Sequence, residues 1–178
     1  MSGVGRDKAA PRIRTLGHSR HSIEHFIAVA QGHGIELIVD VRGQPFSRFN
    51  PHFNREHFRA ALEAAGIAYE WRGEALSGRP KSPEFYGRDG EVLWSKLRDW
   101  PALHQGLEEV MVRAGETSLA LVCAEEDPLH CHRRFLLTPP LERLGAEIIH
   151  IRGDGRVETE ADVGAREKSA ARQPDLFG

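Results

Sequence analysis

Apolar residues in this chain gather in short uninterrupted runs, and between the runs they return every three or four positions. The runs are residues 13–17, 36–41 (ELIVDV), 67–71, 119–123 (LALVC) and 147–151. A short apolar run without alternation is the pattern of a strand buried on both faces. In the first spacer Ile23, Phe26, Ile27 and Ala30 share one helical face, with Ser22 placed to cap it and Gly32 and Gly34 to end it. Phe58, Ala61, Leu62 and Ala65 repeat the arrangement behind Asn54, with Gly66 as the stop. Further helices are expected over residues 91–100 and 101–114, Pro101 suiting a first turn and Gly115 a stop. Thr138-Pro139-Pro140 splits the last helical stretch into a short turn after Cys131 and a second piece ending at Gly145.

Strands alternating with helices predict an α/β fold: a single three-layer domain over residues 13–153, with a mostly parallel sheet of about five strands. Residues 1–12 and 154–178 are polar and nearly free of large apolar side chains, so both are expected as flexible tails. Residues 72–90 hold Gly73, Gly78, Pro80, Pro83, Gly87 and Gly90, which predicts a long surface loop of the kind that is usually functional.

With 24 Lys and Arg against 26 Asp and Glu among 178 residues, the formal charge is −2. That balance leaves nucleic acid open as a partner, because the clustering of basic residues decides, not their total. No run of about 18 apolar residues exists, so no membrane partner is expected. The opening lacks the apolar core of a secretion signal and there are two cysteines, which fits a reducing cytoplasm.

In an open parallel sheet, ligands bind beyond the carboxyl ends of the strands, where loop amides and helix starts converge. Three of the expected strand ends are rich in Arg and His. The first runs into His18, Ser19 and Arg20. The second ends on Asp40 and continues through Arg42, Arg48, Asn50 and Asn54. The third ends on Cys123 and leads to Glu125, Cys131, His132, Arg133 and Arg134. Guanidinium forks suit phosphate or carboxylate. Ser19, Arg20, Arg42, Arg48, Asn50, Asn54, Cys131, Arg133 and Arg134 are therefore the expected ligand-binding set. Asp40 and Glu125 are the candidate acid–base or nucleophilic pair, with His18 and His132 assisting proton transfer. That set suits hydrolysis of an N-glycosidic or phosphoester bond in a nucleotide or a base in DNA.

Simpler duties are available to each residue: Asp40 as the partner of Arg42, His18 and Ser19 as caps, and Phe46, Phe49 and Phe53 as an aromatic clamp rather than a stacking surface. Trp71, Trp94 and Trp100 read as core or interface anchors rather than base-stacking platforms. Cys123, at a strand end before a helix, is a candidate thiol nucleophile. The phosphatase spacing fails, since Leu129 stands where its arginine belongs. Cys123, Cys131 and His132 do not make a standard zinc spacing, so neither metal nor another cofactor is expected.

Together, TLGHS at 15–19, VDVR at 39–42 with Pro45, Ser47-Arg48, Asn50-Pro51 and Phe53-Asn54, then CAE at 123–125, Pro128 and CHRR at 131–134, resemble the prokaryotic domain of unknown function 488 family over residues 13–151. The resemblance implies a cytoplasmic α/β domain with those motifs as its site and implies no reaction. Ala75-Leu76-Ser77-Gly78 stands where that family usually has a Leu-Gly-Gly turn. More loosely, the Asp-Val-Arg strand end and the strand-Cys-loop-helix resemble a rhodanese, which implies Cys123 as a sulfur carrier. A third reading is a nucleotide- or nucleic-acid-binding module without catalysis. At the C-terminus, Gln173, Asp175, Leu176 and Phe177 resemble the peptide with which bacterial repair proteins dock on the DNA sliding clamp, implying that clamp as a partner.

Overall fold

Successive strand residues point to opposite faces, and here both faces are apolar, so the sheet needs helices on either side. In the computed structural model, which describes residues 10–172, six strands run in the order β3-β2-β4-β1-β5-β6. They are β1 (Arg12–Gly17), β2 (Leu37–Asp40), β3 (Ala68–Trp71), β4 (Leu119–Cys123), β5 (Glu147–Ile151) and β6 (Val157–Thr159). The first five are parallel and β6 is antiparallel to β5. Among the described residues no helix is long and apolar enough to cross a membrane.

Leu37, Val39, Leu119, Leu121 and Cys123 face one core layer, while Ile38, Ala120 and Val122 face the other. The second layer is covered by α1 (Ile23–Gly32) and α2 (Arg55–Ala64), which insert Phe26, Ala30, Phe58 and Leu62. The first is covered by α3 (Gly73–Leu76), α4 (Trp94–Arg98), α5 (Pro101–Ala114) and α6 (Thr138–Arg143). Ser22 caps α1 by accepting from the His25 amide at 3.2 Å. Asn54 stands at the start of α2, but its side chain accepts instead from the Ser47 amide at 2.6 Å and holds the preceding loop. Before Pro139 the backbone widens into a π-helical turn at Arg133–Leu137, and α6 begins with both prolines in its first turn, where they cost no internal hydrogen bond.

Two expectations are corrected. Residues 72–90 are not a surface loop: Leu76 and Phe85 are buried in the core, and Tyr86 bridges to Val92. The breakers allow the turns, and the two apolar side chains pull the segment inward. Residues 154–172 are not a flexible tail, since β6 extends the sheet and α7 (Glu160–Arg172) packs beside it. This helix contributes one deeply buried apolar side chain, Val163, and is otherwise fastened by charge. Arg166 holds Asp127 through two contacts of 2.8 and 2.9 Å and also pairs with Glu158; Glu160 and Glu167 pair with Arg134. An apolar-period search does not find a helix docked in this way. The clamp-like residues Gln173, Asp175, Leu176 and Phe177 lie outside the described residues, as do residues 1–9 of the expected N-terminal tail.

The Asp127 carboxyl is held well below its ordinary range, first by its bonds to Arg166. Its contribution to stability is present above the unfolded carboxylate pKa and is lost as pH falls toward the depressed folded value. Arg166→Ala is expected to cost about 1 kcal/mol at neutral pH and to keep most of that effect at pH 3, where the folded carboxyl is still ionised, which urea midpoints at pH 7 and pH 3 would measure.

Candidate functional site

The ends of β1, β2 and β4 meet at the carboxyl edge of the sheet, where Gly17 pairs with Cys123 and Asp40 with Val122. Past the strands, the His18 amide donates to the Cys123 carbonyl at 3.0 Å and the Ser19 amide to that of Ala124 at 2.9 Å. The approach is so close that a Cβ on Gly17 would overlap the Glu125 carbonyl, so only glycine fits there.

One cluster at this edge is saturated. The Asp40 Oδ1 accepts from the Arg42 amide and Nε, at 3.0 and 2.9 Å, while Oδ2 accepts from Arg42 Nη2 at 2.6 Å and the Tyr69 hydroxyl at 2.7 Å. Arg42 Nη1 lies 3.1 Å from His18 Nε2, and His18 Nδ1 lies 2.9 Å from the Ser19 carbonyl. That pattern fits a neutral imidazole donating from Nδ1 and accepting at Nε2. Burial, reinforced by the Arg42 charge, lowers the His18 pKa to about 4. The ring is stacked on buried Phe53 at 4.2 Å. Burial and Asp40 also push the Tyr69 hydroxyl far up. Asp40 therefore has no free lone pair and His18 no free nitrogen. Their work is to fix Arg42, which keeps two of its five N–H groups uncommitted among the described residues.

The other cluster is unsaturated. Cys123, Glu125, Cys131 and His132 bring their donor atoms within 4.8 Å of one another. The two sulfurs are free thiols 2.6 Å apart, and Glu125 Oε2 accepts from Cys123 Sγ at 3.0 Å and from Cys131 Sγ at 3.5 Å. His132 Nε2 is buried without a hydrogen-bond partner. Arg133 lies behind, fully buried: Nε is 3.1 Å from Cys131 Sγ, Nη2 donates to the Glu125 carbonyl at 2.7 Å and Nη1 to Thr15 Oγ1 at 3.3 Å. Burial pushes the Cys123 thiol up. At Cys131 burial acts in the same sense, but Cys123 and the Arg133 charge outweigh it and hold the thiol well below its ordinary value. Of the two sulfurs, Cys131 is the one that the Arg133 guanidinium touches, at 3.1 Å.

Between the clusters opens a cavity of about 490 Å³. Its floor carries Cys123, Glu125 and His132; Arg42, Arg79 and Lys81 line its sides, with Tyr86, Trp94 and Phe135 as an aromatic wall. Ser77 and Gly78 complete one side, where Gly78 packs so closely on His132 that a Cβ would clash. Of the ligand-binding set expected from the sequence, only Arg42 reaches this cavity. Cys131 and Arg133 are buried behind the floor, and Arg134 faces α7. Ser19 spends its amide on β4 and adopts φ +47°, Asn54 holds Ser47, and Arg20, Arg48 and Asn50 do not line the cavity. The aromatic trio divides: Phe53 is core, whereas Phe46 and Phe49 are 71% and 92% exposed. Sequence reasoning missed Arg79, Lys81, Tyr86 and Phe135; Trp94, read as a core or interface anchor, does pack against the core and also lines the cavity. Their signal was the Gly- and Pro-rich character of the segment that carries three of them.

A family model described as Domain of unknown function DUF488 matches residues 22–138 of the 178. No curated protein and no solved structure matches the chain.

Below pH 6.5 an unfolded chain protonates His18, whereas the folded one resists until about pH 4. Stability is therefore expected to fall across that window, by about 3 kcal/mol at its lower end. Denaturant midpoints read at pH 7 and pH 4 would register it, and His18→Gln should flatten that part of the slope. Asp40→Ala, which takes away the buried carboxylate that holds the Arg42 guanidinium and the Tyr69 hydroxyl, is expected to cost about 3 kcal/mol at pH 7, as a denaturant midpoint would show.

Proposed function

The chain belongs to the DUF488 family, and from the chemistry of its cavity we propose an enzyme that hydrolyses a bond in a nucleotide-class ligand, as a free nucleotide or within DNA. The observation that carries this reading is a single cavity that joins cations, flat aromatic surfaces and a carboxylate beside an imidazole. Phosphate is met by Arg79, Lys81 and the uncommitted N–H groups of Arg42. A base stacks against Trp94 and Phe135, which themselves pack edge to face at 4.7 Å. The bond to be broken then lies over the floor, where Glu125 takes a proton from water and His132 returns one to the leaving group. Asp40 has no part in this step, since its lone pairs are spent on Arg42 and Tyr69. One carboxylate, not two, therefore does the acid–base work.

Titration calorimetry with a panel of nucleoside monophosphates and short single-stranded DNA is the direct test. Arg79→Ala and Lys81→Ala should each weaken binding about tenfold, a loss of about 1.4 kcal/mol. Glu125→Gln should leave binding in place and lower turnover by about 10²–10⁴-fold. Absence of heat with every member of the panel would sink the reading, and saturable binding without turnover would leave a binding module in its place. The DNA part of the proposal rests on the peptide 173–177. The sliding clamp is expected to be captured by the full chain and not by a chain ending at Arg172.

A further inference from the structure

The sequence reading expects no metal, because it looks for paired Cys-x-x-Cys spacings, but the fold assembles four donors from two separate pieces of chain. Cys123 and Glu125 flank Ala124 where β4 ends, and Cys131 and His132 are adjacent where the next turn begins. We propose that Cys123, Cys131 and His132, with Glu125 on the cavity side, form a zinc site.

Three observations carry this. The first is donor type and spacing. Two thiols, an imidazole and a carboxylate are a zinc ligand set, and their donor atoms lie within 4.8 Å of one another. Zinc bonds of about 2.0–2.3 Å in a tetrahedron separate neighbouring donors by about 3.3–3.8 Å, a small side-chain adjustment from the present positions. The second is the placing of the sulfurs. Two free thiols face each other at 2.6 Å, close enough for one cation to bind and ionise both. The third is polar satisfaction and charge. His132 Nε2 is buried without a partner, and Nδ1 has only the Cys131 sulfur, at 3.9 Å, among the described residues. Two thiolates and the Glu125 carboxylate carry three negative charges. A divalent cation and the buried Arg133 guanidinium supply three positive ones, with Arg133 placed against Cys131 Sγ.

Cys123 and Cys131 are buried, whereas Glu125 is exposed and lines the cavity. His132 is half-buried and, with Cys123, also lines the cavity, so a metal held here faces that space and Glu125 is its most exposed donor, the one best placed to give way to an outer partner. The binding claim stands whether or not the cavity takes nucleotides; with zinc bound, Glu125 and His132 are its ligands, so the acid–base roles proposed above belong to the metal-free protein.

The test loads the full chain, purified anaerobically with a reductant, with Zn²⁺ alone and then with Co²⁺ alone. One zinc per chain is expected by elemental analysis, held against a chromogenic chelator. The cobalt form should show a thiolate charge-transfer band and the strong visible bands of a tetrahedral ion. Cys131→Ser and His132→Gln should weaken zinc binding by at least about 100-fold, more than loss of an outer-shell partner does. Because a cysteine variant can fail to fold, Glu125→Gln provides a second arm: it should keep the metal but shift the visible cobalt bands. The proposal is overturned if neither metal binds above background. It is equally overturned if the cobalt spectrum lacks the thiolate band, or if both thiols of the anaerobic protein are found joined as a disulfide that Zn²⁺ does not compete with.

Discussion

A guanidinium taken out of water is costly unless its N–H groups all find acceptors, and the Arg133 guanidinium is taken out completely. Its acceptors come from three places: Thr15 on β1, the carbonyls of Glu125 and Glu126 beyond β4, and the Cys131 sulfur. The segment between Cys123 and Cys131 has only one short 3-10 turn, at Pro128–His130, yet it is held in one geometry because another would leave that charge unpaired. The floor of the cavity thus takes its shape from a residue that does not face it. The same contact continues outward. Thr15 Oγ1 lies 2.8 Å from His150 Nδ1, His150 Nε2 lies 2.5 Å from Glu160, and Arg134 returns to Glu160 from the π-helical turn.

Two clusters share the sheet edge and differ in how fully their polar atoms are satisfied. Around Asp40 every lone pair and N–H that faces inward has a partner, which makes that group a fixture. Around Cys131 a nitrogen is orphaned and two free thiols face each other, which leaves bonding capacity over. Proximity alone would have given both clusters the same role. Arg42 belongs to the first cluster and lines the cavity beside the second, so the stiffness of one is transmitted to the other.

The sheet was legible because its strands are plain apolar runs. LALVC is β4 residue for residue, and Glu147–Ile151 is β5. The meeting of Gly17, Asp40 and Cys123 at one edge was legible too, since parallel strands leave little freedom there. What escaped was anything that depends on which way a polar side chain turns. Arg133 and Arg134 are neighbours in a basic motif, yet one turns into the core and the other toward α7. Both are explained by acceptors far away in sequence: Thr15 for the first, Glu160 and Glu167 for the second. The last helix escaped because Val163 alone carries its apolar contact, and no periodicity exists in a set of one. Arg79 and Lys81 escaped because Leu76 and Phe85, on either side, draw in a segment that its glycines and prolines had marked as outlying.

Fastening by charge gives α7 a different dependence on the medium from that of the oily layers it covers. The Debye length shortens from about 10 Å at 0.1 M ionic strength to about 3 Å at 1 M, weakening exposed ion pairs while leaving apolar burial intact. Arg166 is the tie most open to solvent of those that reach Asp127, and Asp127 also orders the turn leading to Cys131 by accepting from the Leu129 amide. Brine is therefore expected to loosen α7 first, and with it the lip of the thiol pocket, while the sheet beneath stays put.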